Sequence, residues 1–316
     1  MKLRSFFSAT FVAALTVAIP GVSARAQTVT HRVLAQDRGH VVILNAKGEV
    51  EWEAPCGGTA HDLTMLPNGN VLTQTDGGNV VEISPDKKIV WEYDAKPKPG
   101  YTGRVEIHAF QRLRNGLTMI SEAGNARIIE VNHEGKIIHE VPFTLDHPSS
   151  HSDTRLARKL RNGHYLVAHE ADGMVREYDA AGKVVWSYKL DLAGRPDEGG
   201  HEGHGTAVFS ALRLPSGNTL IGGGSNNRVF EVNPAGKTVW SIDRDELPGI
   251  KLYWVTDVEV LPNGNIVFGN CHAREENPQM IEVTRDKKVV WTLHDWKNLG
   301  DNTASAMILD TPDVLR

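Results

Sequence analysis

Histidine and arginine are the residues of this chain whose types and spacing suit them for chemistry. Fourteen of the 316 residues are histidines. His61 and His108 each stand five positions before a leucine, Leu66 and Leu113, that opens one recurring phrase, Leu-x-Asn-Gly. His151 and His204 stand nine and ten positions before Leu160 and Leu214, which open the same phrase or its Ser-Gly variant. Imidazoles gathered at one place can hold a divalent transition metal through neutral ring nitrogens. His61, His108, His151 and His204 are the candidate ligands, with Glu122 or Glu170 as a carboxylate partner. Such a metal would polarise a carbonyl or generate hydroxide. The metal-free alternative uses His61, His108 and His169 as general acids or bases beside Glu122, while Arg104 or Arg155 holds an anionic group. Asn226, Asp257 and His272 occupy the corresponding regions of later repeats and complete the expected ligand-binding set. Any one of these side chains is equally at home as a solvated strand cap. The chemistry therefore depends on whether the fold brings the repeats to a common point.

The repeats decide that. The leucine phrase returns as Leu66-Pro-Asn-Gly69, Leu113-Arg-Asn-Gly116, Leu160-Arg-Asn-Gly163, Leu214-Pro-Ser-Gly217 and Leu261-Pro-Asn-Gly264, at intervals of 47, 47, 54 and 47 residues. Asn-Gly between apolar runs is a hairpin signal, because glycine accepts positive φ without steric cost. Each time a second turn follows, then a run ending in a ring: Lys88-Ile-Val-Trp91, Lys136-Ile-Ile-His139, Lys183-Val-Val-Trp186, Lys237-Thr-Val-Trp240 and Lys288-Val-Val-Trp291. Between these phrases the residues alternate as strands do, as in Asn79-Val-Val-Glu-Ile83 and Arg228-Val-Phe-Glu-Val232. Four short strands per unit, repeated, make propeller blades. A tryptophan at a fixed outer position suits packing between blades and can place its N–H on a neighbour's carbonyl. The first unit, from His31 to Trp52, lacks its innermost strand, and residues 304–309 form a strand in phase with the series but without a unit. The expected closure joins the two, giving an all-β, six-bladed propeller with no open edge. A linear stack, with two bare edges, is the alternative.

In such a ring the loops leading into the innermost strands and those between the second and third strands open on one face. The second set carries Asp37, Arg38, Asp76, Glu122, Asn125, His169, Glu170, Asn226, Asn227, Asn270, His272 and Arg274. Loop 191–206, with His201-Glu202-Gly203-His204, accounts for the long interval and is a candidate lid; 270–279 is a second candidate rim.

The chain is 40% hydrophobic and 23% charged, with a net charge of −5. This excludes disorder and a multi-span membrane protein, and offers no electrostatic case for nucleic acid. Lys2 and Arg4, the apolar stretch from Phe6 to Ile19 and the Ala24-Arg25-Ala26 cleavage pattern read as a signal peptide cut after Ala26. The expectation is a periplasmic or secreted protein without a membrane span, its residues 27–316 forming one propeller domain. Two cysteines are too few for a disulfide scaffold. Cys56 and Cys271 fall near the same face, where an oxidising compartment would permit a bridge, although different radii oppose it. No P-loop, Rossmann glycine motif, Ser-His-Asp signature or zinc cysteine pair occurs in the sequence.

The strings Ala181-Gly-Lys-Val-Val-Trp186 and Ala235-Gly-Lys-Thr-Val-Trp240 resemble the tryptophan docking motif of quinoprotein-like (PQQ-like) propeller repeats. Ala60-His-Asp-Leu-Thr-Met-Leu-Pro-Asn-Gly-Asn70 is similar to bacterial arylsulfotransferase-type propellers. The resemblance spans residues 27–316 and implies fold more than activity. The dehydrogenases of the first group have eight blades and commonly an adjacent cysteine pair. Six blades and two separated cysteines argue against PQQ here. The expected function is an axial pocket binding a small anionic or carbohydrate-like molecule, with lyase- or hydrolase-type chemistry. The competing class is a non-catalytic envelope scaffold that binds a protein partner through a blade rim, for which Tyr253-Trp254 is the hint.

Overall fold

The computed structural model describes residues 29–58, 60–192, 194 and 207–316. The expected signal segment and most of loop 191–206, including His204, lie outside the described residues. Twenty-four strands form six antiparallel sheets of four. The second blade is typical: Thr64–Met65, Val71–Thr73, Asn79–Ile83 and Ile89–Asp94 pair in chain order from the axis outwards. The first blade is composite. Its strands Val33–Asp37, His40–Leu44 and Val50–Pro55 gain their inner neighbour from Ala306–Ile308, with Val33 opposite Ile308. The expected closure is therefore the observed one.

Stacking the blades face to face explains why these strands read as they do. Val33–Asp37, Asn79–Ile83 and Arg127–Val131 are buried along their whole length, since both faces of each inner sheet meet another blade. Six apolar clusters result, one for each pair of neighbouring blades. Leu34 and Val41 of the first blade pack with Val71 and Val81 of the second. At the other end of the series Met280 and Leu261 of the sixth blade pack with Val33 and Ile308 of the first. Within the strands, fully exposed positions are confined to the outermost ones, where Ile89, Val90 and Ile138 face solvent.

The repeated phrases each have a physical task. In the leucine phrase the glycine N–H bonds back to the leucine carbonyl, as Gly69 N does to Leu66 O at 2.9 Å, and the chain then reverses through a left-handed glycine. The glycines at 69, 116, 163, 217 and 264 all have φ of 84–87°, a region other residues enter only with strain. The Trp52 indole N–H donates to Pro85 O of the next blade at 2.9 Å, and Trp91, Trp186 and Trp240 donate likewise to His133 O, Pro234 O and Arg285 O. In five of the six blades a glutamate of the third strand pairs with a basic side chain of the following blade: Glu82 with Arg112 (2.8 Å), Glu130 with Lys159, Glu177 with Arg213 (2.7 Å), Glu231 with Arg285, and Glu282 with His31 (2.9 Å). Cys56 and Cys271 are both buried and no disulfide joins them. Cys56 Sγ donates to Gln74 O at 2.7 Å, and burial pushes this thiol up to about 12.

If Ile308 seals the interface between the last and first blades, Ile308→Ala will cost about 2–5 kcal/mol of unfolding free energy in urea titrations. Val239→Ala, on an outer strand where Val239 is 51% exposed, will cost about 0.5 kcal/mol or less. Equal, small effects would contradict the closure.

Candidate functional site

The residue five positions before the recurring leucine, or before Leu309 in the composite blade, lines one cavity in five of the six blades. Around the ring these are His61, His108, Arg155, Phe209, Thr256 and Ala304. All but His108 line a cavity of about 250 Å³, together with His151, Trp254 and His272. Two of the inner strands are bulged at this level. The register of Glu106–Arg112 slips between Ile107 and Ala109, leaving His108 as the extra residue, and that of Trp254–Val260 slips between Val255 and Val258. A bulge re-aims side chains without ending the strand.

Arg155 is the centre of the arrangement. It is 1% exposed. Its Nε donates to the Glu170 carboxylate, its Nη1 lies 3.3 Å from His61 Nε2 and its Nη2 lies 3.1 Å from His151 Nε2. A guanidinium only donates, so both imidazoles present an acceptor to it. His151 Nδ1 therefore carries the ring proton and donates to Glu106 Oε2 at 2.8 Å. Glu106 Oε2 also lies 3.0 Å from His108 Nε2, while His108 Nδ1 donates to Thr154 O at 2.8 Å. One proton thus lies between Glu106 and His108. Burial pushes the Glu106 carboxyl up, but hydrogen bonds from His108 and His151 outweigh it and hold the group well below the usual carboxylate range. The His61 and His108 rings meet edge-on at 4.4 Å, and those of His108 and His151 at 5.6 Å. The Trp254 ring lies 5.2 Å from the His272 ring, and the Arg155 guanidinium carbon lies over it at 5.9 Å from the ring centroid. The cavity is thus lined by imidazoles, by an ion-paired guanidinium and by the indole beside it.

The structure brings His61, His108, His151, Arg155, Glu170 and His272 into this one place. Four other candidates lie elsewhere. Glu122 is buried, accepting from Tyr93 Oη of the second blade (2.8 Å) and from Asn125 Nδ2 (2.7 Å) and pairing with Arg127 Nε at 2.6 Å. His169 is fully buried between Asp153 O, which accepts from Nδ1 at 2.6 Å, and the Tyr178 hydroxyl, which donates to Nε2 at 2.8 Å; its ring meets Phe143 edge-on. Asn226 accepts from Arg228 Nε at 2.6 Å within its turn. Glu122 and His169 thus spend their polar groups on the fold, whereas the buried Asn226 Nδ2 has no hydrogen-bond partner among the described residues. Asp257 lies one layer deeper, beside Arg158 and Glu259 in a separate small pocket, and accepts from Ser305 Oγ at 2.5 Å. Burial, with the charge of Asp62 adding to it, raises the Asp257 carboxyl well above its ordinary value. Arg104 is exposed and touches the cluster only from outside, with Nε 3.2 Å from Glu106 Oε1. Trp254, the hint of a blade-rim patch on the scaffold alternative, is buried and lines the cavity.

Sequence reasoning missed Glu106 altogether, and it read the five-before-leucine position only in His61 and His108. The spacing that relates those two also places Arg155, Phe209 and Thr256.

Residues 37–292 match the PQQ-like family described as outer membrane protein assembly factor BamB. The chain belongs to that family. Among solved structures, the BamB-type chain resembles a Bacteroides caccae protein of unknown function, with 23% identity, a TM-score of 0.73 and coverage of 89% of this chain and 100% of that one. It also resembles a streptogramin B lyase, at 13% identity and a TM-score of 0.55, with 86% and 85% of the two chains covered. A third is virginiamycin B lyase from Staphylococcus aureus, solved as a catalytically inactive histidine-to-alanine variant with quinupristin, at 14% identity and a TM-score of 0.54, with 86% and 87% covered. These likenesses show the fold. No curated protein matches the sequence. Among the described residues no helix is long and apolar enough to cross a membrane.

The buried His169 provides a check on the assignment of structural histidines. Burial lowers it from 6.5 to about 4, so between those values the unfolded chain binds the extra proton. Its contribution is complete above pH 6.5 and is lost as pH falls towards 4, by roughly 3 kcal/mol in all. The stability advantage of the wild type over His169→Gln in urea unfolding will shrink by about that amount between pH 7 and pH 4. A constant difference would place the imidazole in water.

Proposed function

We propose that this propeller is an exported enzyme of the lyase or hydrolase type. Its axial cavity binds a small anionic, carbohydrate-like molecule and moves a proton on it. One observation carries the reading: a buried guanidinium that engages two imidazoles at the wall of a cavity that the Trp254 indole also lines. A cavity of about 250 Å³ lies just below the roughly 300–1,000 Å³ of drug-sized sites and suits a single small ring. Trp254 offers that ring an apolar surface. Arg155 offers its anionic group a charge already removed from water.

The same contacts supply the proton transfer. His151 is oriented by Glu106 at Nδ1, the arrangement by which a carboxylate stabilises an imidazole that takes up a proton at Nε2. Before a ligand arrives, that Nε2 accepts from Arg155. An anion that draws the guanidinium towards itself frees Nε2 to act as a general base, with His61 placed to return the proton. The virginiamycin B lyase likeness adds an analogy of fold, in a protein whose histidine-to-alanine variant is inactive. Residues 1–26 direct the protein to the periplasm or beyond the cell in this reading.

A second reading also has support. Ile89, Val90, Ile137 and Ile138 are exposed on the outer strands of two neighbouring blades, and the family is described as an assembly factor. A non-catalytic scaffold would bind a protein partner there. Thermal unfolding against uronic acids, sulfated aryl compounds and oligosaccharides separates the two. On the enzyme reading, an anionic member of the panel at ten times its Kd raises Tm by about 3 °C. His61→Ala combined with His151→Ala abolishes the shift while Ile89→Asp leaves it intact. A panel without any shift, together with partner binding lost in Ile89→Asp, establishes the scaffold instead.

A further inference from the structure

We propose that Glu106, His108 and His151 form a binding site for one divalent first-row transition-metal ion. The expected histidine set contained no Glu106, and the geometry selects a different trio from it. One donor atom from each of these three side chains falls within 4.8 Å of the others. Glu106 Oε2 is 3.0 Å from His108 Nε2 and 2.8 Å from His151 Nδ1. Ligands held at right angles by bonds of about 2.1 Å are about 3.0 Å apart, so both spacings match two edges of a coordination shell.

The surroundings are those of a metal site. His108 Nδ1 is committed to Thr154 O, which turns the Nε2 lone pair towards Glu106 Oε2. Two electron-rich atoms then face each other at 3.0 Å, a contact that is favourable only with a cation between them. A proton can fill that place, and so can a metal ion. The carbonyl behind His108 and the Arg104 guanidinium on Glu106 Oε1 are the outer partners that fix ligand orientation. His108 is held rigidly at its bulge, whereas His151 is supplied by a loop and its side chain is 49% exposed, which gives the ion a way in. Two imidazoles and one carboxylate leave further coordination positions to water or to an oxygen of a bound molecule.

Binding also changes Arg155. Coordination through His151 Nδ1 moves the ring proton to Nε2, which then confronts Arg155 Nη2, 3.1 Å away, donor to donor. The guanidinium must turn from His151 while keeping Glu170. The site stands whether or not the cavity is catalytic.

Cobalt(II) titrated into the chelator-treated full chain, followed by visible absorption and by elemental analysis after gel filtration, tests the proposal. The expected result is one equivalent per chain, with affinity reduced about 100-fold or more in Glu106→Gln, His108→Ala and His151→Ala and unchanged in His61→Ala. His151 is half exposed, so its variant keeps the test valid if substitution of the two buried ligands unfolds the chain. No saturable binding at millimolar cobalt, or binding undiminished in His151→Ala, overturns the assignment.

Discussion

The site depends on one buried charge. Arg155 is almost wholly removed from water, which costs several kcal/mol unless partners compensate. Glu170 supplies the opposite charge, and His61 and His151 accept the remaining bonds. That requirement dictates the state of everything around it. The imidazoles must face the guanidinium with lone pairs, so the His151 proton must sit on Nδ1, so Glu106 must be there to receive it. The contributing residues come from the second, third and fourth blades, and the sixth supplies Trp254 and His272. They meet only because the sheets close into a ring.

The architecture was readable because its cause is periodic. A leucine phrase at a constant interval, a left-handed glycine in each hairpin and an aromatic ring after each second turn are separate local signals that agree. Phase alone assigned residues 304–309 to the first blade. The centre of the site was readable for the same reason, since equal offsets from Leu66 and Leu113 placed His61 beside His108. Glu122, His169 and Asn226 misled because a polar residue at the end of a second or third strand looks identical whether it faces the axis or the next blade. Burial within the fold is the more common fate. Bulges are not visible in a sequence at all. The slip before Val258 sends Asp257 to a deeper layer, and the slip at His108 brings Glu106 and His108 to bear on one point.

Polar contacts between blades have a division of labour. Tryptophan N–H groups and buried third-strand glutamates tie most blades to the next. Their geometry is repeated, which fixes the angle between blades. Charges at the axis are fewer, deeper and unlike one another, as a site requires. His139, standing where the other blades carry tryptophan, stacks on Tyr165 of the next blade with ring centroids 6.4 Å apart and leaves its buried Nε2 without a hydrogen-bond partner.

The composite first blade bears on the order of events during synthesis. Val33 finds its inner neighbour in Ile308, 275 positions later, so the toroid cannot lock until nearly all of the described polypeptide has left the ribosome. A nascent chain held open in this way remains threadable. Until that latch forms, Val33–Asp37 presents a bare strand edge, and pairing with Ala306–Ile308 removes it.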